Sequence, residues 1–462
     1  MQYFFPLIFF ISGLFAQPIT ASINGFIRDD ASGEPISYAN VFLSNSSLGA
    51  ATNSDGYFVI SAIPLGLYEL NATMIGYGVF KKKVDLSLGE SIRLEIRLKE
   101  EAIKGTEVLV TAERQKFERS MESSQIALDL REINSAPAFV EPDVFRTLQM
   151  LPGVQTTSDF SSALYVRGST PDQNLIMLDG IAVYNPYHLG GIFSTFNTDA
   201  IKEADFHAGG FPARYGGRMG AILNVINREG NTEKVTGSAN LSLISSKALI
   251  EGPIPKWKGM KGSWMISGRR TYIDKVVDAL ALPSGSKNSD GSDIPLRFPY
   301  YFYDYQIKAN LDIDRDHRLT FTRFYGDDVL DFSYEDPSET VRNENVTIQQ
   351  DSKFGLDWPW GNQTNGLTWR WIVSPKMITK TFLSNSRYRF DFDLFFQNRD
   401  LYTYSDSTAI NFINFNWNIY DIIKDRTLET EVQYKYSNDH ELTGGFQIKK
   451  IRFDLGIQYD LE

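Results

Sequence analysis

The chain has 462 residues, too many for one ordinary domain of about 100 to 200 residues, so two to four units are expected. Its net charge of −11 excludes a large nucleic-acid surface, which would need clustered Lys and Arg to neutralise phosphates. Cysteine is absent, which removes disulfides, thiolate metal sites and cysteine nucleophiles, while a 13% aromatic content beside plentiful Gly, Asn, Ser and Thr favours strands.

The first stretch, MQYFFPLIFFISGLFAQ, holds an apolar run from Tyr3 to Phe15 with the small Ala16 before Gln17, and reads as a signal peptide over residues 1–16. Its departure from the pattern is that no Lys or Arg precedes the apolar core. The run is shorter than the roughly 20 apolar residues of a spanning helix, and no later segment has 18 in succession. Helical spans are therefore excluded, but a β-barrel leaves only a weak hydropathy trace and stays open.

Residues 17–100 alternate and turn like a small antiparallel β-sandwich. A polar Gly/Pro turn follows SINGFIRDD, and Asp55-Gly56 predicts a tight hairpin, since Gly takes positive φ without steric conflict. Residues 101–125 are charged and read as a linker with one β-branched island around Glu107, Val108, Leu109, Val110 and Thr111. This island is either a last sandwich strand or an exposed strand able to add to a partner's sheet edge.

Over 126–232 the pattern is mixed and predicts an α+β domain. Val144, Phe145, Leu148 and Leu151 lie at helical spacing before Pro152-Gly153, Asp179-Gly180 marks a turn between strands, and TFNTDAIKEADFHA predicts a short helix and a strand. The stretch GGFPARYGGRMGAILNV, residues 209–225, joins a glycine cluster to a strand. From 233 to 462 the chain alternates almost throughout, with short joints such as Ser374-Pro375-Lys376 and long polar ones such as 327 to 350. One strand face is aromatic or aliphatic and the other polar, as in Phe321 with Arg323 and in Tyr388, Arg389, Phe390 and Asp391. A soluble sandwich and a membrane barrel both satisfy such alternation.

The chemical readings fall away in turn. The glycine cluster lacks both the G-x-x-x-x-G-K-[ST] and the G-x-G-x-x-G patterns of phosphate loops. His188, His207, His317 and His440 are scattered, read as surface or loop residues, and no H-E-x-x-H or G-x-S-x-G occurs. The loop SGSKNSDGSD, residues 284–293, has acids off the EF-hand spacing and reads as a solvated loop. Asp391 and Asp393 share a strand face without a general-acid context and read as lumen or solvent charges. No catalytic set, metal site or cofactor is expected.

Two resemblances emerge from the ordered motifs. The order G-x-I-x-D, G-E-P-I-x-Y-A-N-V, T-N-S-D-G-Y-F and P-L-G-x-Y, within residues 23–98, resembles the carboxypeptidase-regulatory-like β-sandwich, which brings no catalytic residues. The set L-P-G-V (151–154), Y-V-R-G (165–168), D-Q-N-L-I-M-L-D-G-I (172–181) and G-G-F-P-A-R-Y-G-G-R-M-G (209–220) resembles the plug domain of TonB-dependent outer-membrane receptors, and SGRRTYID (267–274) resembles their early barrel. This resemblance implies a mainly β fold: sandwich, α+β plug, then antiparallel transmembrane β-barrel strands.

It also implies roles. Glu107 to Thr111 match the position of the box that engages a TonB-type energy-transducing protein of the inner membrane. Arg167, Gly168, Asp179, Gly180, Arg214, Gly216, Gly217 and Arg218 are the plug motif. Arg167, Arg214 and Arg218 are expected to meet lumen carboxylates, Asp179 to hold a turn or meet an Arg, and the glycines to let backbone turn tightly and approach the barrel wall. A plug must be positioned yet yield, which suits ion pairs of small net stability.

The implied place is the outer membrane, in contact with its lipid, with the N-terminal domain facing the periplasm. The implied act is energised uptake of a ligand: iron chelate, cobalamin, glycan or peptide. The alternatives are a signalling or adhesion receptor without transport and, more remotely, a secreted β-rich enzyme. Such barrels have 22 strands, which at about 20 residues per strand and joint need about 440 residues. The 228 residues of 235–462 supply about half, so a partial barrel is expected.

Overall fold

The computed structural model describes residues 20–101, 125–137, 141–158, 161–255, 259–280, 283–287, 293–295, 298–343, 345–438 and 440–461. The expected signal peptide (1–16) and the candidate partner box Glu107 to Thr111 lie outside the described residues.

The N-terminal unit is a sandwich of two sheets. One has the strand order Tyr57–Ile63, Ala21–Asp29, Ser91–Leu98, and the other Gly49–Ala51, Asn40–Leu43, Leu67–Thr73, Phe80–Asp85. Ile23, Ile27, Val41, Leu43, Phe58, Ile60 and Leu70 form a shared buried core, the two-sheet packing that alternating patterns favour. Ala21–Asp29 runs parallel to Ser91–Leu98, and a Cβ at Gly25 would collide with the Leu94 carbonyl, so this pairing needs bare backbone there.

The expected hairpin at Asp55-Gly56 is corrected. Gly49–Ala51 and Tyr57–Ile63 belong to different sheets, so the turn carries the chain across the sandwich. Asn53 Oδ1 shapes it by accepting from the backbone N–H groups of Asp55 and Tyr57, both at 3.0 Å, and Gly56 adopts φ 72°.

The α+β domain is built on a five-stranded sheet ordered Ile181–Ala182, Leu175–Leu178, Ile222–Asn227, Ile201–His207, Gln125–Asp129. The short helix Leu130–Ser135 opens with a capping box between Asp129 and Glu132. The Val144–Gln149 helix is capped by Asp143 and buries Val144, Phe145 and Leu148 with Phe196 and Phe206. The Asp179-Gly180 turn joins Leu178 to its partner Ile181 with φ 50° and 80°, the left-handed pair that suits a two-residue hairpin. The short helix expected in TFNTDA is a single 3-10 turn, Thr198–Ala200, because the strand Ile201–His207 claims the following residues at once.

A nine-stranded sheet follows in chain order: Thr236–Leu241, Ser245–Pro253, Lys261–Thr271, Tyr300–Asp312, His317–Asn343, Val346–Ser374, Met377–Thr403, Thr408–Lys435 and Glu441–Leu461. The joint expected over 327–350 does not exist as a loop. Val329, Phe332, Val341, Val346 and Ile348 interleave with the acids, and two strands run paired through Asn343 and Val346. The solvated loop expected over 284–293 holds two short paired strands, Pro283–Lys287 and Asp293–Pro295, the remainder lying outside the described residues.

The wall's two faces are chemically inverted relative to a soluble sheet. Along the strand from Tyr300 to Leu311 burial alternates, and beyond the buried aromatics Tyr300 and Phe302 the buried set Asp304, Gln306, Lys308 and Asn310 is polar. These residues face the α+β domain, whereas Tyr301, Tyr303 and Tyr305 face away. Phe321 and Arg323, read from sequence as contrasting faces, are two apart and therefore share the outer one. There Arg323 is bound by Tyr305 Oη at 2.9 Å and Asn365 Oδ1 at 2.9 Å. Asp391 is on the outer face too, accepting from Asn418 Nδ2 at 3.1 Å, and Asp393 pairs across from Asp357.

Candidate functional site: the contact between the α+β domain and the wall

The segment from Asp179 to Ser194 leaves the five-stranded sheet and meets the wall at several levels. At the first, Asp179 accepts from Asn227 N–H at 3.1 Å and from Asn227 Nδ2 at 2.8 Å, and its Oδ1 receives Lys308 Nζ at 2.8 Å. Asp179 thus holds the turn, the first of the two expected roles, and its ionic partner is a wall lysine rather than an arginine. Lys308 also donates to the Asn227 carbonyl at 2.9 Å.

At the next level, Ser386 donates to the Ala182 carbonyl, Asn362 donates to the Asn185 carbonyl at 2.7 Å, and Tyr184 donates to Asp425 Oδ2 at 2.9 Å. Burial, aided by the Asp425 carboxylate, pushes the Tyr184 phenol above its ordinary range.

The third level is the most enclosed. Tyr187–His188 pairs with Phe193–Ser194, which places the His188 ring, 0% exposed, between two wall carboxylates. Nδ1 is 2.6 Å from Asp328 Oδ2 and Nε2 is 2.9 Å from Asp304 Oδ1. Asp304 also accepts from Arg269 Nε at 2.8 Å, and Arg269 donates to the Ser194 carbonyl at 2.9 Å. Tyr300 donates to Asp328, and Leu189 N–H, on a residue with φ 49°, donates to Tyr300 Oη at 2.7 Å. Phe302 stacks on the imidazole with centroids 3.9 Å apart, and the Arg269 guanidinium lies 4.9 Å from the centroid of the Phe302 ring.

Two cations and two anions thus form a neutral buried quartet whose hydrogen bonds are mutual. Burial alone would drive the imidazole neutral, but the two carboxylates outweigh it and hold its pKa at about 9, so both ring nitrogens donate at neutral pH. The hairpin is tied back to its own domain through Asp143, whose Oδ2 accepts from Ser194 N–H at 2.7 Å while its Oδ1 caps the Val144–Gln149 helix. Beside it Glu141 meets Lys247 at 2.7 Å; burial opposes its charge, and Lys247 more than compensates, holding the carboxyl below its usual range.

The surface reading of the histidines is corrected at two positions: His188 and His207 are buried, the latter beside Tyr215 with ring centroids 5.9 Å apart. Asp304 and Asp328 lie 116 and 140 residues from His188, so local sequence contains no pairing signal. The alternation that puts Asp304, Gln306, Lys308 and Asn310 on one face was the only available hint of a polar buried surface.

The expected arginine set divides. Arg214 reaches two wall carboxylates, Glu429 at 3.0 Å and Glu431 at 3.1 Å, and packs over Tyr215 at 5.3 Å. Arg167 and Arg218 are exposed, and among the described residues neither is within ion-pair distance of a carboxylate. Arg167 donates its N–H to the Gly153 carbonyl from φ 48°, and Arg218 donates to the Gly217 carbonyl.

The glycine expectation divides as well, close approach being corrected and tight turning held. A Cβ at Gly168, Gly180, Gly216 or Gly217 would meet nothing within 4 Å, so none of them is needed for close approach to the wall. Gly168, Gly180 and Gly217 instead supply φ of 85°, 80° and 78°. Because Arg214 keeps 44% of its side chain exposed, Arg214→Ala should leave the fold intact and lower stability by only about 1 kcal/mol or less in a thermal melt. Loss of folding would contradict that placement.

Comparison with known proteins places family domains on this architecture. Residues 23–110 match the CarboxypepD_reg-like domain and residues 135–222 match the TonB-dependent Receptor Plug Domain. The TonB-dependent transporter Oar of Myxococcus xanthus is 23% identical over 235 residues, which are 48% of this chain and 21% of Oar. The chain thus matches about a fifth of the length of that curated relative. A mutant ferric enterobactin receptor, PfeA, from Pseudomonas aeruginosa aligns at a TM-score of 0.36 and 12% identity, covering 75% of this chain and 60% of that one. The ferric yersiniabactin uptake receptor FyuA of Yersinia pestis aligns at 0.35 and 12%, covering 74% and 62%.

Proposed function

We propose that this chain, in which a plug domain of TonB-dependent receptors follows a carboxypeptidase-regulatory-like domain, acts in the outer membrane as an energised receptor and transporter. The observation that carries the proposal is the inverted wall: polar and hydrogen-bonded toward the plug, with aromatic and aliphatic side chains on the outside around the hydrogen-bonded pair Arg323 and Asn365. The outer face has one aromatic group at Tyr301, Tyr303, Tyr305 and Tyr325 and another at His317, Trp369 and Trp371. Ile307, Ala309, Leu311, Leu319, Phe321 and Leu367 lie between them.

Tyr303 pairs with Asp327 and Trp371 with His317. That ten-residue interval is about 33 Å along a strand, or about 25 Å along a barrel axis at a tilt of about 40°, the height of a lipid-facing apolar band with its aromatic girdles.

The plug, proposed over 126–232, fills the lumen formed by strands of 233–462. Arg167, Gly168, Asp179, Gly180, Arg214, Gly216, Gly217 and Arg218 set its turns and its register. The sandwich of 17–100 faces the periplasm, and Glu107 to Thr111 serve as the strand that adds to a sheet edge of a TonB-type partner. Ligand is captured from outside, and pulling on that strand breaks the dispersed contacts of the 179–194 segment one level at a time. No step requires a catalytic residue or a cofactor.

Deleting 107–111 in cells tests the reading. Energised uptake should vanish while ligand capture at the surface persists. Uptake that survives the deletion would refute the transport mechanism, and capture without any energised uptake in the intact protein would favour a signalling or adhesion receptor.

A further inference from the structure

Several outward apolar runs of the wall stop at cations, and they do so at one end only. On His317–Asn343 the run Leu319, Phe321 ends at Arg323, which is held by the neutral groups of Tyr305 and Asn365. On Met377–Thr403, Ser386 donates inward to the plug, so Arg387 and Arg389 point outward beyond Leu383. On Thr408–Lys435, Asp425, Glu429 and Glu431 reach inward to the plug, which leaves Leu428 outward, followed by Arg426 and Lys424. On Glu441–Leu461, Gln447 and Lys449 turn inward to Glu429 and Asp425, and the outward set is Phe446 and Ile448, then Lys450 and Arg452.

At the opposite end of the wall, beside the joint Ser374-Pro375-Lys376, the outward paired positions are His317, Trp369, Trp371, Thr379 and Thr381, none of them Lys or Arg. The cations lie toward the long paired strands that run through Asn343 and Val346. Long connections mark the external side of a membrane barrel and short ones the periplasmic side.

Few of these charges are compensated. Asp327 meets Arg389 at 2.9 Å and Asp454 meets Arg452 at 2.9 Å. Among the described residues, Arg323, Arg387, Lys424, Arg426 and Lys450 have no carboxylate within ion-pair distance. They also crowd one another. The hydroxyls of Thr381 and Thr430 are 3.3 Å apart across two strands, and Arg387 and Lys424 stand six residues beyond them. Gln447 donates to Glu429 at 2.7 Å, and Lys450 and Arg426 stand three residues beyond that pair. Like charges side by side on neighbouring strands repel, and an anion between them removes the repulsion.

Further out the outer face turns acidic, with Asp331 opposite Asp357 and Asp357 opposite Asp393. An anion is thereby confined to the zone between the apolar runs and these acids. That zone is where a lipid headgroup lies when its chains cover the apolar runs. Lys and Arg lay their stems on apolar surface and present charge at headgroup depth, and guanidinium pairs bidentately with phosphate.

We propose that this outward cationic belt binds the phosphate of a phosphomonoester-bearing lipid of the outer leaflet, whose chains lie against Leu383, Leu428 and Ile448. Arg387, Lys424, Arg426 and Lys450 hold the headgroup, and the absence of such a belt at the other end makes the binding selective for one leaflet. The inference rests on the outer-membrane placement proposed above. Binding in micelles needs no energy source, so its failure is separable from uptake that survives deletion of 107–111.

The test titrates the full chain in a neutral detergent with dioleoyl phosphatidate and counts complexes by native mass spectrometry. Dioleoylglycerol, with the same chains and no phosphate, is the control, and inorganic phosphate is the competitor. Phosphatidate should bind about tenfold or more tightly than dioleoylglycerol, and inorganic phosphate at equal concentration should not displace it. Arg426→Gln combined with Lys450→Gln should weaken phosphatidate by about twentyfold, near fivefold for each cation beside an anionic headgroup, and leave dioleoylglycerol unaffected. Lys81→Gln combined with Lys82→Gln, at exposed lysines of the sandwich, should change phosphatidate binding by less than about twofold.

Equal affinity for the two lipids would mean that the chains alone bind and would overturn the belt. So would displacement by inorganic phosphate at equal concentration, which would make this a site for free anions, or an equal loss in the sandwich variant, which would mean diffuse attraction. If the wall double variant does not fold, Lys450→Gln alone decides, at an exposed outward position, with an expected loss of about fivefold.

Discussion

Asp304→Ala should destabilise the protein by about 3 to 5 kcal/mol, the range for removing one partner of a buried charge network. Asp304 is 2% exposed and receives both the His188 imidazole and the Arg269 guanidinium. Without it, His188 keeps only Asp328, which is already held by Tyr300, and Arg269 keeps only the longer-range attraction of Glu141 and Asp143. Neither cation can reach water, and Arg269 cannot discharge by losing a proton. The hairpin holding His188 is the weakest place to absorb this, since it can swing from the wall while the five-stranded sheet persists.

The expected result is therefore twofold: a large fall in the thermal midpoint and a new protease cut between 185 and 195. The contrast with Arg214→Ala, where the cation keeps 44% of its side chain exposed and a small effect is expected, is the sharper check. Equal midpoints for the two variants would mean that the enclosed quartet contributes no more than a surface ion pair.

The sequence's legibility differed between elements for physical reasons. Turns that depend on local backbone chemistry were readable: Asp179-Gly180 forms its two-residue hairpin because both positions accept positive φ. The Val144–Gln149 helix was readable from its apolar spacing, and its Asp143 cap is local too. Asp55-Gly56 misled because a turn sequence specifies a reversal and not which sheet receives the next strand. The acid-rich stretch after residue 327 looked like a loop, yet strand pairing tolerates polar residues wherever both faces can meet a polar surround.

Side-chain pairing across the plug and wall was the least legible, because period-2 alternation reports which face a residue takes and not what stands opposite it. Arg214, Arg167 and Arg218 carry the same charge, but only Arg214 is positioned beside the Glu429 and Glu431 pair. His188 reads as a surface or loop residue in the sequence because a lone histidine acquires meaning only from Asp304 and Asp328, which the fold supplies from two separate strands.

Raising the pH through about 9 should release the same hairpin without any mutation. The His188 ring is held at about 9, against about 6.5 for an unperturbed histidine, by Asp304 and Asp328, with burial opposing them. A folded pKa above the unfolded one contributes stability that is fully present below about 6.5, declines as the pH rises, and is gone once the folded group deprotonates above about 9.

Deprotonation leaves one ring nitrogen without its proton, facing a carboxylate, while Arg269 still neutralises Asp304 and Tyr300 still donates to Asp328. One bond of the quartet is lost and the remainder persists, so the hairpin should loosen before the wall does. Melting at a series of pH values should show the midpoint falling between about pH 7 and 9.5, with the protease cut between 185 and 195 growing over the same interval. His188→Gln, which keeps hydrogen-bonding capacity but does not titrate, should begin less stable and lose this pH dependence. If His188→Gln retains the full decline, the titrating group lies elsewhere and the imidazole is not the charge that fastens the plug.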